Sequence, residues 1–175
     1  VKNTADSDKT PKTPPKSENM QPSMPQTELL AQMGNMAAFQ NAPAGFLETL
    51  CGNLHVARYR PEQYVLRKRC KDTSLHWILQ GSARLTMLSG AGEEVHGEIC
   101  EGDLFGEPSF FIRGDWEIDV VARTAVDVAG LTASGLARMY EKFPGWLTKI
   151  FEVVQRKWVV NGCRHIEAAH RFLCS

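Results

Sequence analysis

No apolar run in this chain approaches the roughly 18 to 20 residues that a membrane-spanning helix needs, and no signal-peptide pattern opens it. Those absences predict a soluble intracellular domain, cytoplasmic with the nucleus as the alternative, that meets a membrane only through a parent protein. There is no Cys-x-x-Cys pair either. The five cysteines, Cys51, Cys70, Cys100, Cys163 and Cys174, are odd in number and suit reduced thiols in place of a disulfide framework. Cys163, His165 and His170 lie close together, but their spacing matches no zinc pattern and no metal is expected. Nowhere does a Ser/His/Asp, Cys/His or paired-carboxylate arrangement converge, and the histidines at 55, 76, 96, 165 and 170 are scattered. The chain therefore reads as a non-enzyme with no catalytic residues.

Net charge is missing too, since 20 Lys and Arg balance 20 Asp and Glu, but the balance is local in no part of the folded chain. Residues 1 to 28 carry four of each sign, residues 29 to 122 carry eight cations against twelve acidic groups, and residues 123 to 175 carry eight against four. An acidic middle argues against a polyanion groove, so no nucleic-acid partner is expected.

Large aliphatic and aromatic side chains are nearly absent from residues 1 to 28, which hold five prolines. Such a segment buries too little surface to offset the entropy of ordering and reads as a disordered tail, with Thr10 and Thr13 each followed by proline. Residues 29 to 175 are expected to form one domain.

What is present then takes over in order. Leu29, Leu30, Met33, Met36 and Ala37 recur at helical steps, and a second short helix follows through Phe46, Leu47 and Leu50, giving helices over 29–51. "LHVARYR" (54–60), "QYVLR" (63–67), "LHWILQG" (75–81), "ARLTML" (83–88), "EEVHGEIC" (93–100), "IDVVARTA" (118–125) and "VDVAGL" (126–131) are short, β-rich and bounded by turns. His76, beside Trp77, reads as a half-buried packing residue. The period becomes helical again over 132–173: "TASGLARMYEKF" offers Thr132 or Ser134 as N-cap, Leu147, Phe151, Val154 and Trp158 form a stripe, and "RHIEAAHRFL" makes a last short helix. The fold class is mainly β with flanking helices, an antiparallel β-roll of jelly-roll type over 54–131.

A helix pair, a roll and terminal helices, together with "YVLRKRCKDTSLHWILQGSARL" and "EGDLFGE", resemble a cyclic-nucleotide-binding domain over about residues 29–165. The family's phosphate-binding cassette runs Phe-Gly-Glu, an aliphatic, a small and two apolar residues, a loop, then Arg-x-Ala-Thr/Ser before the closing strand. "FGEPSFFIRGDWEIDVVA" aligns with it without a gap. The resemblance implies an inserted cassette helix, two C-terminal helices that cap a pocket, and pocket positions at Phe105, Gly106, Glu107, Pro108, Ser109, Arg113, Trp116 and Asp119.

At those positions the chemistry is mixed. Gly106, Pro108 and the backbone N–H groups of a helix start would make an anion cradle, and Glu107 would accept from a ribose hydroxyl. The family arginine is replaced by Trp116 and the Thr/Ser by Asp119. Losing a guanidinium that forks onto phosphate costs about 1.5 to 3 kcal/mol, and a carboxylate near phosphate adds repulsion, so cAMP and cGMP are expected to bind about 10³-fold or more weakly. Arg113 is the one nearby cation that would compensate. No cofactor is expected.

Three functions follow: an interaction module regulating other domains of a parent protein or a protein partner, a sensor of a nucleoside or other uncharged small molecule, and a cAMP or cGMP sensor using Arg113. A transcription factor is disfavoured because only about a dozen residues follow Gly162, too few for a DNA-reading module. The basic turn "RKRCKD" at 67–72 is a second departure from the family. It reads as a solvated turn, with a partner or an acidic lipid surface as alternatives.

Overall fold

The structure, a computed structural model, describes residues 24–89, 92–106 and 118–146. Helix α1 (Gln26–Asn35) leads through a single 3-10 turn (Ala37–Phe39) to α2 (Phe46–Cys51). Eight strands follow: β1 (Leu54–Tyr59), β2 (Tyr64–Leu66), β3 (Leu75–Gln80), β4 (Ser82–Ser89), β5 (Gly92–Cys100), β6 (Leu104–Phe105), β7 (Asp119–Ala122) and β8 (Val126–Leu131). Helix α3 (Ala133–Lys142) closes the described part. This is the mainly β architecture with flanking helices read from the sequence.

Two four-stranded antiparallel sheets make the roll, in the orders β1-β8-β3-β6 and β2-β7-β4-β5. Strands β3 and β8 are central in the first sheet and buried on both faces, which is why "LHWIL" and "VDVAGL" read as near-continuous apolar runs. Period-two alternation splits them: Leu75, Trp77, Leu79, Ala129 and Leu131 pack against the helices, while Ile78, Val126 and Val128 pack inside the roll with Val120, Ala122 and Phe105. The helix side is an aromatic cluster in which Phe46 meets Phe39, Phe143 and Trp146 at centroid distances of 6.2, 5.3 and 5.7 Å.

Helix α1 begins at Gln26, three residues before the periodicity suggested. Pro25 occupies the N-cap position and Met24 is buried, so residues 24–28, assigned to the tail by composition, belong to the packed unit. Thr132 caps α3 by accepting from the Gly135 N–H at 3.1 Å, one of the two caps anticipated. Strand β6 lay hidden in the cassette motif, being only two residues long. The tail 1–23, the cassette helix and the stripe from Leu147 to Trp158 fall outside the described residues, as does the last helix.

Candidate functional site

Strand β6 fixes the entrance of the cassette. It pairs with β3 in the register His76↔Phe105 and Trp77↔Leu104, which turns Phe105 into the roll and stacks its ring on His76 at 5.1 Å. Gly106 follows with φ +97°, and a Cβ there would lie 2.5 Å from the Ser74 carbonyl oxygen and 3.1 Å from His76 Cδ2. Only glycine fits, because the backbone is left-handed and the neighbouring strand end leaves no room.

The exit of the cassette is Asp119, the first residue of β7, paired with Thr86 of β4. Its Oδ1 accepts a hydrogen bond from the Lys68 backbone N–H at 2.7 Å. Alternation along β7 sets Asp119 on the face opposite Val120 and Ala122, which pack inside the roll. The sequence had placed this carboxylate against a ligand phosphate. In the structure its Oδ1 holds the basic turn, and a hydrogen bond from a backbone N–H leaves the negative charge of the carboxylate in place. Glu107, Pro108, Ser109, Arg113 and Trp116 lie outside the described residues, so of the pocket positions the structure describes Phe105 and Gly106 at the end of β6 and Asp119 at the start of β7.

A polar cluster that sequence reasoning missed lies beside the entrance. Strands β1 and β3 both pair with β8, and His55 and His76 both face Gly130 in those registers. A Cβ on Gly130 would come within 2.2 Å of the His55 ring, so glycine is needed for the imidazole to lie there. The two rings meet edge to face at 6.3 Å. His76 is buried, not half-buried as expected, at 5% exposure. Its Nε2 lies 3.5 Å from Asp72 Oδ1, too long for a strong hydrogen bond, and makes none among the described residues. Asp72 Oδ1 also accepts from the Ser74 N–H at 2.8 Å. The sequence signal existed only in the strand order, since 21 positions separate the two histidines.

Electrostatics tie the cluster together. Burial pushes the Asp72 carboxyl up, but the His76 ring and the Ser74 N–H outweigh it and hold the group well below the usual carboxylate range. Burial, reinforced by His76, lowers His55 below an ordinary histidine. Burial first and Asp72 second raise the Tyr59 phenol. Among the described residues no group of three or more His, Cys, Asp or Glu side chains is arranged to hold a metal ion, and no helix is long and apolar enough to cross a membrane.

With Gly106 and Asp119 anchoring the cassette between β6 and β7, the arrangement can be compared with known proteins. The family model for the cyclic nucleotide-binding domain matches residues 56–143. The chain belongs to the cyclic nucleotide-binding domain family. No curated protein matches it in sequence. Among solved structures of this fold it is similar to the regulatory subunit of a cAMP-independent protein kinase A from Trypanosoma brucei, with 24% identity and a TM-score of 0.62 over 76% of this chain and 47% of that one. The corresponding Trypanosoma cruzi subunit, bound to guanosine, matches with 21% identity and a TM-score of 0.61 over 76% of this chain and 46% of that one. A cyclic nucleotide-binding domain from Methylobacillus flagellatus matches with 19% identity and a TM-score of 0.64 over 85% of this chain and 82% of that one. The chain spans about half the length of the trypanosome subunits.

Proposed function

We propose that this domain is a regulatory interaction module, not an enzyme, which works on other domains of a parent protein or on a protein partner and holds cAMP and cGMP weakly. The observation that carries the reading is Trp116 at the position of the family arginine. The alignment has no gap, and its two ends fall on a strand end and a strand start, Phe105 and Asp119. The missing clamp weakens binding by about 1.5 to 3 kcal/mol, or roughly 10- to 150-fold, and any repulsion from the Asp119 carboxylate adds to it. Calorimetric titration is expected to give no sub-micromolar binding of either nucleotide, and Trp116→Arg is expected to restore affinity by about the same factor. Tight binding by the unaltered chain would overturn the proposal and assign the clamp to Arg113.

A second reading, a sensor for an uncharged nucleoside, is favoured by one specific observation. The Trypanosoma cruzi subunit of this fold is bound to guanosine, a ligand without phosphate. An ionised Asp72 beside the cassette entrance also suits a neutral ligand better than an anion. Guanosine titrated in the same cell separates the readings: micromolar binding with no response to cGMP supports the sensor.

A further inference from the structure

The turn at 67–71 is a basic run in an otherwise acidic stretch of the chain. Of the eight cations between residues 29 and 122, four fall at Arg67, Lys68, Arg69 and Lys71, all exposed, while the remainder of that stretch holds four cations against twelve acidic groups. The turn is built, not loose. The Cys70 N–H donates to the Arg67 carbonyl at 2.9 Å, the Lys68 N–H donates to Asp119, and Arg69 is held at φ +61°, a left-handed conformation that residues with a Cβ adopt at a cost. The Arg67 guanidinium lies 4.1 Å over the ring of Tyr64, which is 44% exposed. Stacking uses the face of the guanidinium and leaves its edge donors for a planar carboxylate.

The same loop touches both ends of the cassette. Lys68 is bonded to Asp119 at the exit, and Ser74, six residues on, closes against Gly106 at the entrance while Asp72 reaches His76 beneath it. We infer that the basic turn 67–71 is a docking site for a short acidic peptide segment of a partner protein, and that docking there is coupled to the cassette through Asp119 and Ser74. A membrane or a nucleic acid extends well past one Debye length, about 8 to 10 Å at physiological salt, and would meet Asp72 and Asp119, which border the turn, as well as the turn itself. A peptide of a few carboxylates senses the turn alone. Tyr64 and Tyr140 are the exposed large apolar side chains among the described residues, too little for insertion into lipid.

This inference rests on the reading as an interaction module, and its test uses no nucleotide so that the two fail separately. The 175-residue chain is titrated with fluorescein-labelled hexaglutamate and, in parallel, with phosphatidylserine vesicles. Saturable peptide binding is expected, weakened about tenfold or more by Arg67→Glu with Arg69→Glu, by Lys71→Glu as a separate variant to a smaller degree, and by raising salt from about 0.05 to about 0.3 M. Amide exchange should slow at 67–71 and also at Gly106 and Val120 to Ala122, and Asp119→Ala should keep the peptide bound while abolishing the protection at 120–122. Absence of peptide binding, binding indifferent to charge reversal, vesicle binding without peptide binding, or protection confined to 67–71 would each overturn it. None of these readouts uses a cyclic nucleotide, so a failure here leaves the clamp reading to its own titration.

Discussion

On the helix-covered face of the sheet β1-β8-β3-β6, Leu75, Trp77, Leu79, Ala129 and Leu131 meet an aromatic cluster, and the buried Asp127 receives two hydrogen bonds from Arg58 at 2.7 and 2.6 Å. On the face turned into the roll, the same strands carry His55, His76 and Gly130, a His76–Asp72 contact of 3.5 Å and an imidazole nitrogen that makes no hydrogen bond among the described residues. Burial is comparable on the two faces, but the handling of their buried titratable groups is not. The helix-covered face ties its buried Asp127 carboxylate to a guanidinium by two short hydrogen bonds, whereas the face beside the cassette leaves a buried imidazole nitrogen with no hydrogen bond among the described residues and so open to charge or ligand.

Breaking the first face should cost most. Phe46 is fully buried among Phe39, Phe143 and Trp146, and Phe46→Ala removes a ring and leaves a cavity, with an expected loss of about 3 to 5 kcal/mol. Urea unfolding followed by tryptophan fluorescence measures it. A loss under about 1 kcal/mol would mean that the helical layer is dispensable to the roll and that the contrast between faces is misplaced.

The next effect is smaller and falls on the second face. Gly106→Ala forces a Cβ against the Ser74 carbonyl in a left-handed backbone, with an expected cost of about 1 to 3 kcal/mol. Its signature is spatial: amide exchange should quicken at Ser74, His76 and Phe105 while α1 and α2 keep their protection. Uniform quickening throughout the chain would show that the entrance is no separate unit.

Much of this architecture was readable beforehand. Alternation in "LHWILQG" and "VDVAGL", the Gly81 turn and the Thr132 cap each carry a local physical signal, and the strands formed where those signals lay. Helix α1 was started late because composition hid Pro25 and Met24, whose role depends on tertiary packing. Asp119 has a structural partner that alternation alone points to: in "DVVA" Val120 and Ala122 pack inside the roll, which sets Asp119 on the other face, where it accepts from the Lys68 N–H. The His55–His76 meeting had no local signal at all, because it arises from two strands choosing the same central neighbour. Long-range register is what a sequence without alignment conceals.

The smallest expected effect sharpens the comparison through pH. The groups facing His55 are His76, paired beyond it with Asp72, and the Gly130 backbone, with Tyr59 sensing Asp72 from its own strand. A histidine lowered in the folded state takes up its proton more readily when unfolded, so the unfolded chain binds more protons as pH falls below about 6.5. The stabilisation is therefore present above that pH and lost progressively as pH falls through the lowered folded value. Asp72, also lowered, acts in the same direction at more acid pH, being lost as its folded carboxyl protonates. Urea midpoints should thus decline between neutral pH and about pH 5, and His55→Asn should flatten that decline without changing the acid limb set by Asp72. The Arg58 guanidinium on the other face remains charged throughout this window. An unchanged slope in His55→Asn would locate the pH response elsewhere and remove the inner face's claim to be the responsive one.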